Sequence, residues 1–579
     1  MRTHSTWVLS CHVLVSLLLG CAAFCEADVP AAFVEGTPFH AFIDAHQETL
    51  ASGGDPALGN YVGLFDEGYT ALLLRVHLIR SARTSIDIQS FIWTNDECAR
   101  VILYELVQAA RRGVKVRILV DHVGSHRNPK QLAFILSLSP NIAIKMYRPL
   151  ARLGAPPLHQ ALLDLLLSSG NNQRMHIKTC IIDGVAGITG GRNIGNNYFN
   201  YSLHYNFKDR DVLVVGPAVA GMTASFDEYW SARQAVECRD LRDVARQLEQ
   251  GVTRSDPGRE EIYCAPYFTT LDAEADDGET VKRALLATLA PAGRVEYVAD
   301  APGRKRRFFT GLGNNGRVTD ALHELFEEAR DSVVIQSPYV VVNRRLARFF
   351  RRVSEDKPGL RITISTNSYA AADHLVTYAA NYRLRPRVVL DHGMEVFEYK
   401  PYPEDFLTYL SNAAELEAMA KAEGIKRRPY LSIHAKTFVF DEDTTFIGTM
   451  NLDPRSFYLN SEDGFIIEDT AIAQRVRAGI ERDMAPGNSW TIARNRRPIF
   501  LVNRVLERVS ARTPIDFWPL RSTSGFELRP GKEPISSEHP NFYKHYKDIG
   551  NFPGGEGPSG AKFVVRFLKV FGKPTTPLL

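Results

Sequence analysis

One motif occurs twice in this chain, and the repetition constrains what the chain can fold into. The motif has the form His-x-Lys-x4-Asp-x6-Gly-x-x-Asn. Its copies occupy residues 176–193 and 434–451, and every spacing is the same in both. Duplication of a half-site is the simplest explanation, so we expect two similar domains whose motifs meet. The shared positions are His176, Lys178, Asp183 and Asn193 in the first copy and His434, Lys436, Asp441 and Asn451 in the second.

Each motif is predicted to form a β-strand. Side chains two residues apart point to the same face of a strand. His176 and Lys178 are therefore expected to enter one cleft, as are His434 and Lys436. Two facing pairs would bring two imidazoles and two ammonium groups together, with the two motif asparagines as neutral hydrogen-bond donors.

The sequence around the motifs is also repeated. In both halves a predicted helix, a strand, a second helix and a second strand precede the motif, and Ile-Gln-Ser recurs at 88–90 and 335–337. Helices and strands that alternate with short connections indicate a sheet covered by helices. The predicted fold class is α/β: two homologous halves, each a mixed β-sheet flanked by helices, packed with pseudo-two-fold symmetry. The predicted elements are 70–82, 85–93, 101–112 and 114–120 in the first half and 319–329, 331–339, 344–353 and 360–366 in the second.

Changes in composition mark the domain boundaries. We predict the first half at 28–240, a polar linker at 241–290 and the second half at 291–515. The linker, in which we expect some local helix, is predicted because the segment is polar and residues 272–279 are strongly acidic. From 516 to 579 the chain is rich in Pro, Gly, Ser and Lys, which indicates a loosely specified C-terminal extension or surface wrap.

Residues 1–27 have the pattern of an export leader. Arg2 precedes an apolar run at 7–24, and a small residue stands before Cys21. The pattern resembles a bacterial lipoprotein signal, in which Cys21 becomes the lipidated first residue. Secretion with cleavage near Ala27 and an uncleaved anchor are the alternatives. Each of the three assigns the body of the protein to the bacterial cell envelope.

Four of the seven cysteines lie outside the leader. Their spacing contains no Cys-x-x-Cys pair and matches no zinc site. A disulfide can form in an envelope compartment, and Cys238 with Cys264 is the candidate pair. Cys180 lies inside the strand of the first motif and is predicted to be an ordinary core residue.

The residues that the motifs bring together suit a phosphodiester. Lysines and amides can bind the non-bridging oxygens and stabilise the charge that grows in the transition state. One histidine can attack phosphorus, and the other can protonate the departing alkoxide and then activate the acceptor. We expect no metal and no cofactor, because the cationic side chains supply the electrophile.

The two histidines need different protonation states, so nearby carboxylates should separate their pKa values. Candidates follow each motif at comparable distances: Asp209 and Asp211 after the first, and Glu462 after the second. An exposed turn is the alternative interpretation of each. On strand alternation Asp183 and Asp441 face away from their lysines, which favours a structural ion pair over a catalytic role.

The bulk composition, 45% hydrophobic and 23% charged, is that of an ordinary globular protein. A formal net charge of +3 is too small to indicate nucleic acid as a partner. Any attraction for phosphate must therefore be local.

The paired motifs resemble the His-Lys-Asp signature of the phospholipase D superfamily. The flanking sequence is similar to bacterial C-type cardiolipin synthases at 190–199, 366–373, 394–401 and 448–456, and the likeness runs from about 68 to 514. It implies two α/β halves around a shared active site and a phosphohistidine intermediate. It also implies that cardiolipin forms from phosphatidylglycerol and a second phospholipid. Carried over to this sequence, the histidines, lysines and asparagines of both motifs form the catalytic and substrate-binding set, and Asp183 and Asp441 complete the signature.

Three classes of function remain open. A transferase with phospholipid substrates at a membrane surface agrees with the export signal and the mild charge. A hydrolase would use water as the acceptor, either as a phospholipase D or as an envelope nuclease. A nuclease should carry a more basic surface and stacking aromatics, whereas the basic run at 304–307 is short. The third class is a non-catalytic surface protein that retains the fold.

Overall fold

The computed structural model describes most of the chain between residues 36 and 554. The leader at 1–27, including Cys21, and the basic run at 304–307 lie outside the described residues. Within them, no helix is long and apolar enough to cross a bilayer. The described ranges are 36–50, 55–125, 128–157, 173–252, 257–303, 316–496, 502–503, 505–507, 509 and 521–554.

A nine-stranded mixed sheet forms the framework of the first half. Its strand order is β10-β1-β8-β6-β5-β2-β3-β4-β9, in which β2, β3 and β4 run parallel and their other neighbours antiparallel. Its strands are β1 (Tyr61–Phe65), β2 (Ser85–Ser90), β3 (Lys115–Asp121), β4 (Ile142–Tyr147), β5 (Thr179–Ile182), β6 (Ala186–Gly190), β8 (Asp211–Val215), β9 (Ala235–Glu237) and β10 (Ala290–Pro291). Strand β7 (Tyr205–Lys208) lies outside this sheet and pairs with a strand of the second half.

A ten-stranded sheet repeats this arrangement in the second half. Its order is β11-β18-β17-β16-β12-β13-β14-β19-β20-β21, and its first eight strands have the same connectivity as β1 to β9 without β7. Its strands are β11 (Arg294–Ala299), β12 (Ser332–Gln336), β13 (Arg361–Asn367), β14 (Glu395–Tyr399), β16 (Thr437–Phe440), β17 (Thr444–Gly448), β18 (Asp463–Glu468), β19 (Ser489–Arg494), β20 (Thr523–Leu528) and β21 (Tyr546–Gly550). Strand β15 (Tyr430–Ile433) lies outside this sheet and forms a two-stranded parallel sheet with β7.

Helices cover the sheets in both halves. In the first half they are α1 (Pro38–Ala45), α2 (Gln47–Leu50), α3 (Gly68–Ser81), α4 (Glu97–Arg111), α5 (Pro129–Leu138), α6 (Val219–Ser231), α7 (Arg242–Glu249), α8 (Arg259–Ile262), α9 (Pro266–Asp276) and α10 (Gly278–Ala284). In the second half they are α11 (Arg317–Glu328), α12 (Arg344–Asp356), α13 (Leu375–Pro386), α14 (Phe406–Tyr409), α15 (Ala413–Ala422), α16 (Pro454–Tyr458), α17 (Thr470–Met484) and α18 (Phe542–His545).

The predicted fold class and the eight predicted helices and strands are confirmed, with ends that shift by a few residues. Local chemistry explains these ends. The Asp96 side chain accepts a hydrogen bond from Ala99 N at the start of α4. Gly113, at φ 99°, turns the chain out of that helix toward β3. In α12 the apolar positions 346, 349, 350 and 353 are buried, whereas most of its arginines remain outside.

A shared apolar core joins the two sheets. Ile181 of β5 and Val439 of β16 are buried in the same cluster. The helices α6 and α17, which follow the equivalent strands β8 and β18, contribute Phe226 and Val476. Because each half buries apolar surface against the other, the pseudo-two-fold pairing is part of the fold.

The segment predicted as a polar linker, 241–290, is instead folded onto the first half. It contains helices α7 to α10, and Tyr267 and Phe268 are buried in the first core. Its acidic residues have a partner: Asp272 and Asp276 lie 2.5 Å from the guanidinium nitrogens of Arg80. The prediction of a linker was wrong because these acidic residues lie on the side of a helix that contacts the first half, whereas a linker would leave them in solvent.

The C-terminal extension is also more ordered than predicted. Strands β20 and β21 continue the second sheet beyond β19, so this half extends past residue 515. Phe526, Phe542 and Tyr546 form a small buried cluster there. Phe552 stacks on Tyr382 of α13 with ring centroids 4.6 Å apart.

The proposed disulfide is absent. The four cysteines among the described residues are free; Cys238 is buried in the first core, whereas Cys264 is exposed. Cys180 is a buried core residue, as predicted.

The motif aspartates close the β-hairpins at the far ends of the motif strands. Asp183 and Asp441 both adopt positive φ, 53° and 50°, a left-handed conformation that aspartate tolerates better than most residues. Asp441 accepts hydrogen bonds from the backbone N–H groups of 330–332, and Asp183 does the same for 83–85. They lie away from the motif histidines and bind backbone amides where a side-chain ion pair was expected.

We expect Asp441→Ala to lower the free energy of unfolding by about 2 kcal/mol, because it removes three hydrogen bonds and leaves alanine at positive φ. Asp441→Asn should lose less, since asparagine retains an acceptor oxygen and tolerates this conformation. Urea titration of both variants tests the expectation, with Asp443→Ala as the exposed-turn control. A large loss of kcat in folded Asp441→Asn would contradict the structural role.

Candidate active site

The two motif histidines lie at the interface between the halves, each just before its motif strand. His176 and His434 are each 7% exposed. Their main chains are held by the opposite half: His434 N donates to Lys208 O at 2.8 Å, and His176 N donates to Ser461 O at 2.9 Å. The parallel pair β7–β15 carries the first of these contacts. Each motif is therefore positioned by the other half.

The side chain of each motif histidine also contacts a residue of the opposite half. His434 Nδ1 lies 2.7 Å from Oδ2 of Asp209, the residue after Lys208. His176 Nδ1 lies 2.6 Å from Oε2 of Glu462. A carboxylate at Nδ1 orients the imidazole and keeps the proton on that nitrogen, which leaves Nε2 free for chemistry. Two of the three predicted orienting carboxylates thus contact a histidine, and each contacts the histidine of the other half.

Burial lowers the pKa of both imidazoles. For His434, burial and the neighbouring Lys436 outweigh Asp209 and bring the pKa to about 4. For His176, burial and the two motif lysines hold the pKa well below 6.5. Both rings are therefore neutral at pH 7 in the free protein, as an attacking nitrogen must be. A bound phosphodiester adds negative charge, which favours protonation of one ring.

The carboxylates beside the two rings differ in acidity. Burial raises the pKa of Glu462. Asp209 is buried too, but the positive charges of His434 and Lys436 hold its pKa at about 2. The two imidazoles therefore have unequal partners, although their motifs are alike in sequence.

Both motif lysines are buried beside their histidines. Lys178 Nζ donates to His176 O at 2.6 Å. Lys436 Nζ donates to His434 O and lies 3.0 Å from His434 Nδ1. Burial lowers the pKa of Lys178 to about 7 and that of Lys436 to about 8, against nearby carboxylates that raise both. A buried ammonium group attracts a bound anion more strongly than an exposed one does, because little water competes for the interaction.

The motif asparagines have different surroundings. Asn193 is fully engaged with neighbouring groups: its Oδ1 accepts from Ile92 N at 3.0 Å, and its Nδ2 donates to Tyr198 OH at 2.9 Å. Asn451 is buried, and its Oδ1 has no hydrogen-bond partner among the described residues. The second asparagine therefore keeps an acceptor atom without a partner among the described residues, whereas the first orders the loop beside His176.

The third orienting candidate, Asp211, does not contact either histidine. Its carboxylate lies 2.8 Å from Arg75 and 3.3 Å from Arg192, and all three side chains are buried. The prediction was wrong for this residue because its carboxylate contacts these two arginines and not a histidine. A buried carboxylate needs paired cations, and the two arginines meet that need.

Sequence reasoning missed the tight packing under the carboxylates and the rings. A Cβ on Gly191 would lie 2.1 Å from Asp209 Oδ1, so only glycine admits that carboxylate. Phe207 packs 4.4 Å from the His434 ring, and Phe91 packs 5.1 Å from the His176 ring. The Gly-x-x-Asn part of the motif was the available signal for a close approach.

Sequence reasoning also missed Asp373. It accepts a hydrogen bond from Tyr339 OH at 2.8 Å and belongs to the charges that raise the pKa of His434 and Lys436. A single aspartate outside the repeat gave no spacing signal.

We expect Asp209→Asn to lower kcat by about 100-fold or more, because the amide can donate to Nδ1 and favours the wrong imidazole tautomer. Asp443→Asn, on an exposed turn, is the matched control and should retain wild-type kcat. Turnover of a soluble phosphodiester gives the rates, and circular dichroism checks the fold. An Asp209→Asn rate within a few-fold of wild type would contradict the crossed pairing.

The lowered lysine pKa values predict an alkaline loss of activity. Ammonium groups are charged below their pKa, so kcat/KM should fall as pH rises through about 7 to 8, the pKa values of Lys178 and Lys436 in the free protein. Lys436→Arg keeps its charge and should move the decline to higher pH, at a lower maximal rate. Lys282→Arg, on an exposed helix, is the control. An unchanged profile in Lys436→Arg would rule out titration of Lys436.

Comparison with known proteins identifies the family of the chain. A family model described as "Cardiolipin synthase, PLD-like domain" matches residues 76–230 and 322–484, which contain both motifs. Cardiolipin synthase C of Escherichia coli is 30% identical over 424 residues, which cover 72% of this chain and 83% of that protein. An uncharacterized protein of Helicobacter pylori is 30% identical over 428 residues, which cover 72% of this chain and 78% of that protein.

Among solved structures, the phosphatidylserine synthase of Haemophilus influenzae is 14% identical, with a TM-score of 0.47 over 76% of this chain and 91% of that chain. The two segments matched by the family model make up more than half of the chain. The chain therefore belongs to the family of phospholipase D-like proteins that is described as "Cardiolipin synthase, PLD-like domain".

Proposed function

We propose that the protein is a phospholipase D-type phosphatidyltransferase that makes cardiolipin from phosphatidylglycerol and a second phospholipid. The observation that carries the proposal is the pair of crossed histidine–carboxylate contacts, His176 with Glu462 and His434 with Asp209, beside two buried lysines. The likeness to cardiolipin synthase C supports the choice of lipid substrates.

In the first half-reaction, Nε2 of one histidine attacks the phosphorus of a phospholipid. The bond from phosphorus to the headgroup oxygen breaks, and the protonated second imidazole gives its proton to the departing alkoxide. The product is a phosphatidyl-histidine and a free headgroup alcohol. Because both histidines are buried against the opposite half, the two reacting rings keep a fixed mutual geometry.

In the second half-reaction, a hydroxyl of phosphatidylglycerol is the acceptor. The second imidazole, now neutral, removes the hydroxyl proton as the oxygen attacks phosphorus, and the bond from phosphorus to histidine breaks. The histidine returns to its neutral form, and the second imidazole again carries a proton. Water in place of the lipid hydroxyl would give phosphatidic acid by the same steps.

In this scheme the two lysine ammonium groups stabilise the negative charge of the transition state. Lys178 and Lys436 can contact the non-bridging oxygens, whose charge grows as phosphorus becomes five-coordinate. Asn451, the last residue of the second motif, can add a neutral donor. These groups supply the stabilisation that a metal ion would otherwise provide, so the proposed reaction is metal-independent.

The leader at 1–27 extends the proposal to location. Export and lipidation at Cys21 would hold the catalytic body at the envelope membrane, where its substrates are. The proposed partners are therefore phospholipids and the membrane surface, not nucleic acid.

The product analysis that tests the function uses the purified protein in mixed micelles of phosphatidylglycerol and phosphatidylethanolamine, in buffer with EDTA. We expect cardiolipin, detected by mass spectrometry, and we expect its formation to fall at least about 1000-fold in His176→Ala and in His434→Ala. The expected loss is large because each histidine acts in both half-reactions.

His545→Ala, in the C-terminal helix α18, is the matched histidine control and should retain wild-type activity. If phosphatidic acid were the sole product, the protein would be a hydrolase that uses water as the acceptor and not a transferase. Activity that disappears in EDTA and returns with zinc would overturn the metal-independent mechanism.

A further inference from the structure

The helix α12 is strongly basic on one side toward its amino-terminal end. Arg344, Arg348 and Arg351 are spaced four and three residues apart, so they lie on one face of the helix. All three are exposed, and their guanidinium groups form no hydrogen bond or ion pair with any residue that the structure describes. The carboxylates of α12, Glu355 and Asp356, lie in its last turn. The positive charge is therefore concentrated toward the start of the helix.

A fourth arginine lies beside these three. Arg387 follows α13, is half-buried, and donates from Nη1 to Val342 O at 3.1 Å. Burial lowers its pKa, and so do the charges of Arg344 and Arg351, against Asp391, which raises it. We call this group the basic face: Arg344, Arg348, Arg351 and Arg387. Its charge alone exceeds the formal net charge of the chain, +3. Like charges held together destabilise a fold, so the basic face needs a reason.

In the first half the equivalent side of the helix is covered. The strands β2 and β12 begin 247 residues apart, as do the helices α4 and α12. By this shift Val101 of α4 corresponds to Arg348, and Tyr104 corresponds to Arg351. Val101 is buried in the first core, and Tyr104 packs edge-on against Tyr263, with ring centroids 6.1 Å apart. Tyr263 lies between α8 and α9, so the chain itself covers in the first half what it leaves exposed in the second.

The basic face begins at the edge of the second sheet where His434 lies. Gln336, the last residue of β12, pairs with Thr437 at the start of β16, three residues after His434. The helix α12 follows β12 after a short connection. At its start the guanidinium carbon of Arg345 lies 4.1 Å from the ring centroid of Tyr458, which ends α16, the helix after the second motif. The exposed arginines therefore start beside the second motif.

We propose that the basic face docks on the anionic surface of a phospholipid membrane and turns the active-site edge of the second sheet toward the lipid. The inference rests on the proposed function, whose substrates are phospholipids, and adds the surface on which the protein meets them. Phosphatidylglycerol, the proposed acceptor, is itself anionic, so a membrane that contains it attracts the arginines. Both phenylalanines of α12 are buried, so the helix offers no exposed ring on which nucleobases stack. The chemistry therefore favours a lipid surface over nucleic acid.

The test measures binding of the full chain to two kinds of vesicle by sedimentation: phosphatidylcholine alone, and equal parts of phosphatidylcholine and phosphatidylglycerol. The readout is the ratio of the two dissociation constants, because the predicted apolar leader contributes to both values. We expect wild type to prefer the anionic vesicles. This preference should fall about tenfold or more in a triple glutamine variant, since each arginine adds to the attraction: Arg344→Gln, Arg348→Gln and Arg351→Gln.

Two matched variants serve as controls. Lysine at the same three positions keeps the charge and should keep the preference: Arg344→Lys, Arg348→Lys and Arg351→Lys. Three exposed arginines lie before β2, before β12 and at the start of β13, on the opposite edge of the sheets. Their replacement removes the same charge there and should leave the preference within about twofold of wild type: Arg83→Gln, Arg330→Gln and Arg361→Gln. An equal loss in the two glutamine variants would overturn the proposal, as would an undiminished preference in the first.

Two further measurements separate the docking surface from the chemistry. The first glutamine variant should turn over soluble bis(p-nitrophenyl) phosphate as wild type does, because the catalytic groups are untouched; a matching loss there would overturn the docking role. Wild-type protein that makes cardiolipin without preferring anionic vesicles would refute the docking surface alone. Wild-type protein that prefers them but forms no lipid product would refute the proposed function alone. Binding to duplex DNA that requires the basic face, without a preference for anionic vesicles, would assign the face to nucleic acid and overturn the proposal.

Discussion

The crossed hydrogen bonds between the halves are the constraint on which the rest of the site depends. His434 is oriented by Asp209, and His176 by Glu462, so neither half contains a complete pair. All four side chains are buried, and a charge left alone there would be strongly destabilising. The halves must therefore stay together for the carboxylates to remain paired. The apolar core that α6 and α17 share across the interface stabilises the association of the two halves.

Duplication gave two similar half-sites, but the structure uses them unequally. Asp209 stays ionised because, despite its burial, the neighbouring His434 and Lys436 lower its pKa, whereas burial raises the pKa of its counterpart Glu462. Asn193 is bound to its own loop, whereas Asn451 keeps a free acceptor among the described residues. A reaction in which one histidine attacks and the other transfers protons needs such differences, because identical half-sites would compete for one role.

Much of the fold could be predicted because local patterns were strong. The alternation of apolar and polar residues in β3 and the amphipathic sequence of α12 were informative because each element buries one face. The segment 241–290 was misjudged, since its acidic residues bind Arg80 and its aromatic residues fill the first core. Residues 521–554 were misjudged for a related reason: β20 pairs with β19 and β21 pairs with β20, and a pairing partner elsewhere in the chain leaves no local signal.

The sequence alone determined the duplicated motif, with a histidine and a lysine two residues apart just before each of the strands β5 and β16, and it indicated phosphodiester chemistry. It also supplied Asp209 and Glu462 as candidates, but with Asp211 ranked beside them. Only the tertiary structure decided that Asp209 reaches the opposite histidine while Asp211 pairs with Arg75 and Arg192. Contacts between halves depend on how two sheets pack across more than two hundred residues of intervening chain, and neither residue type nor spacing records that geometry.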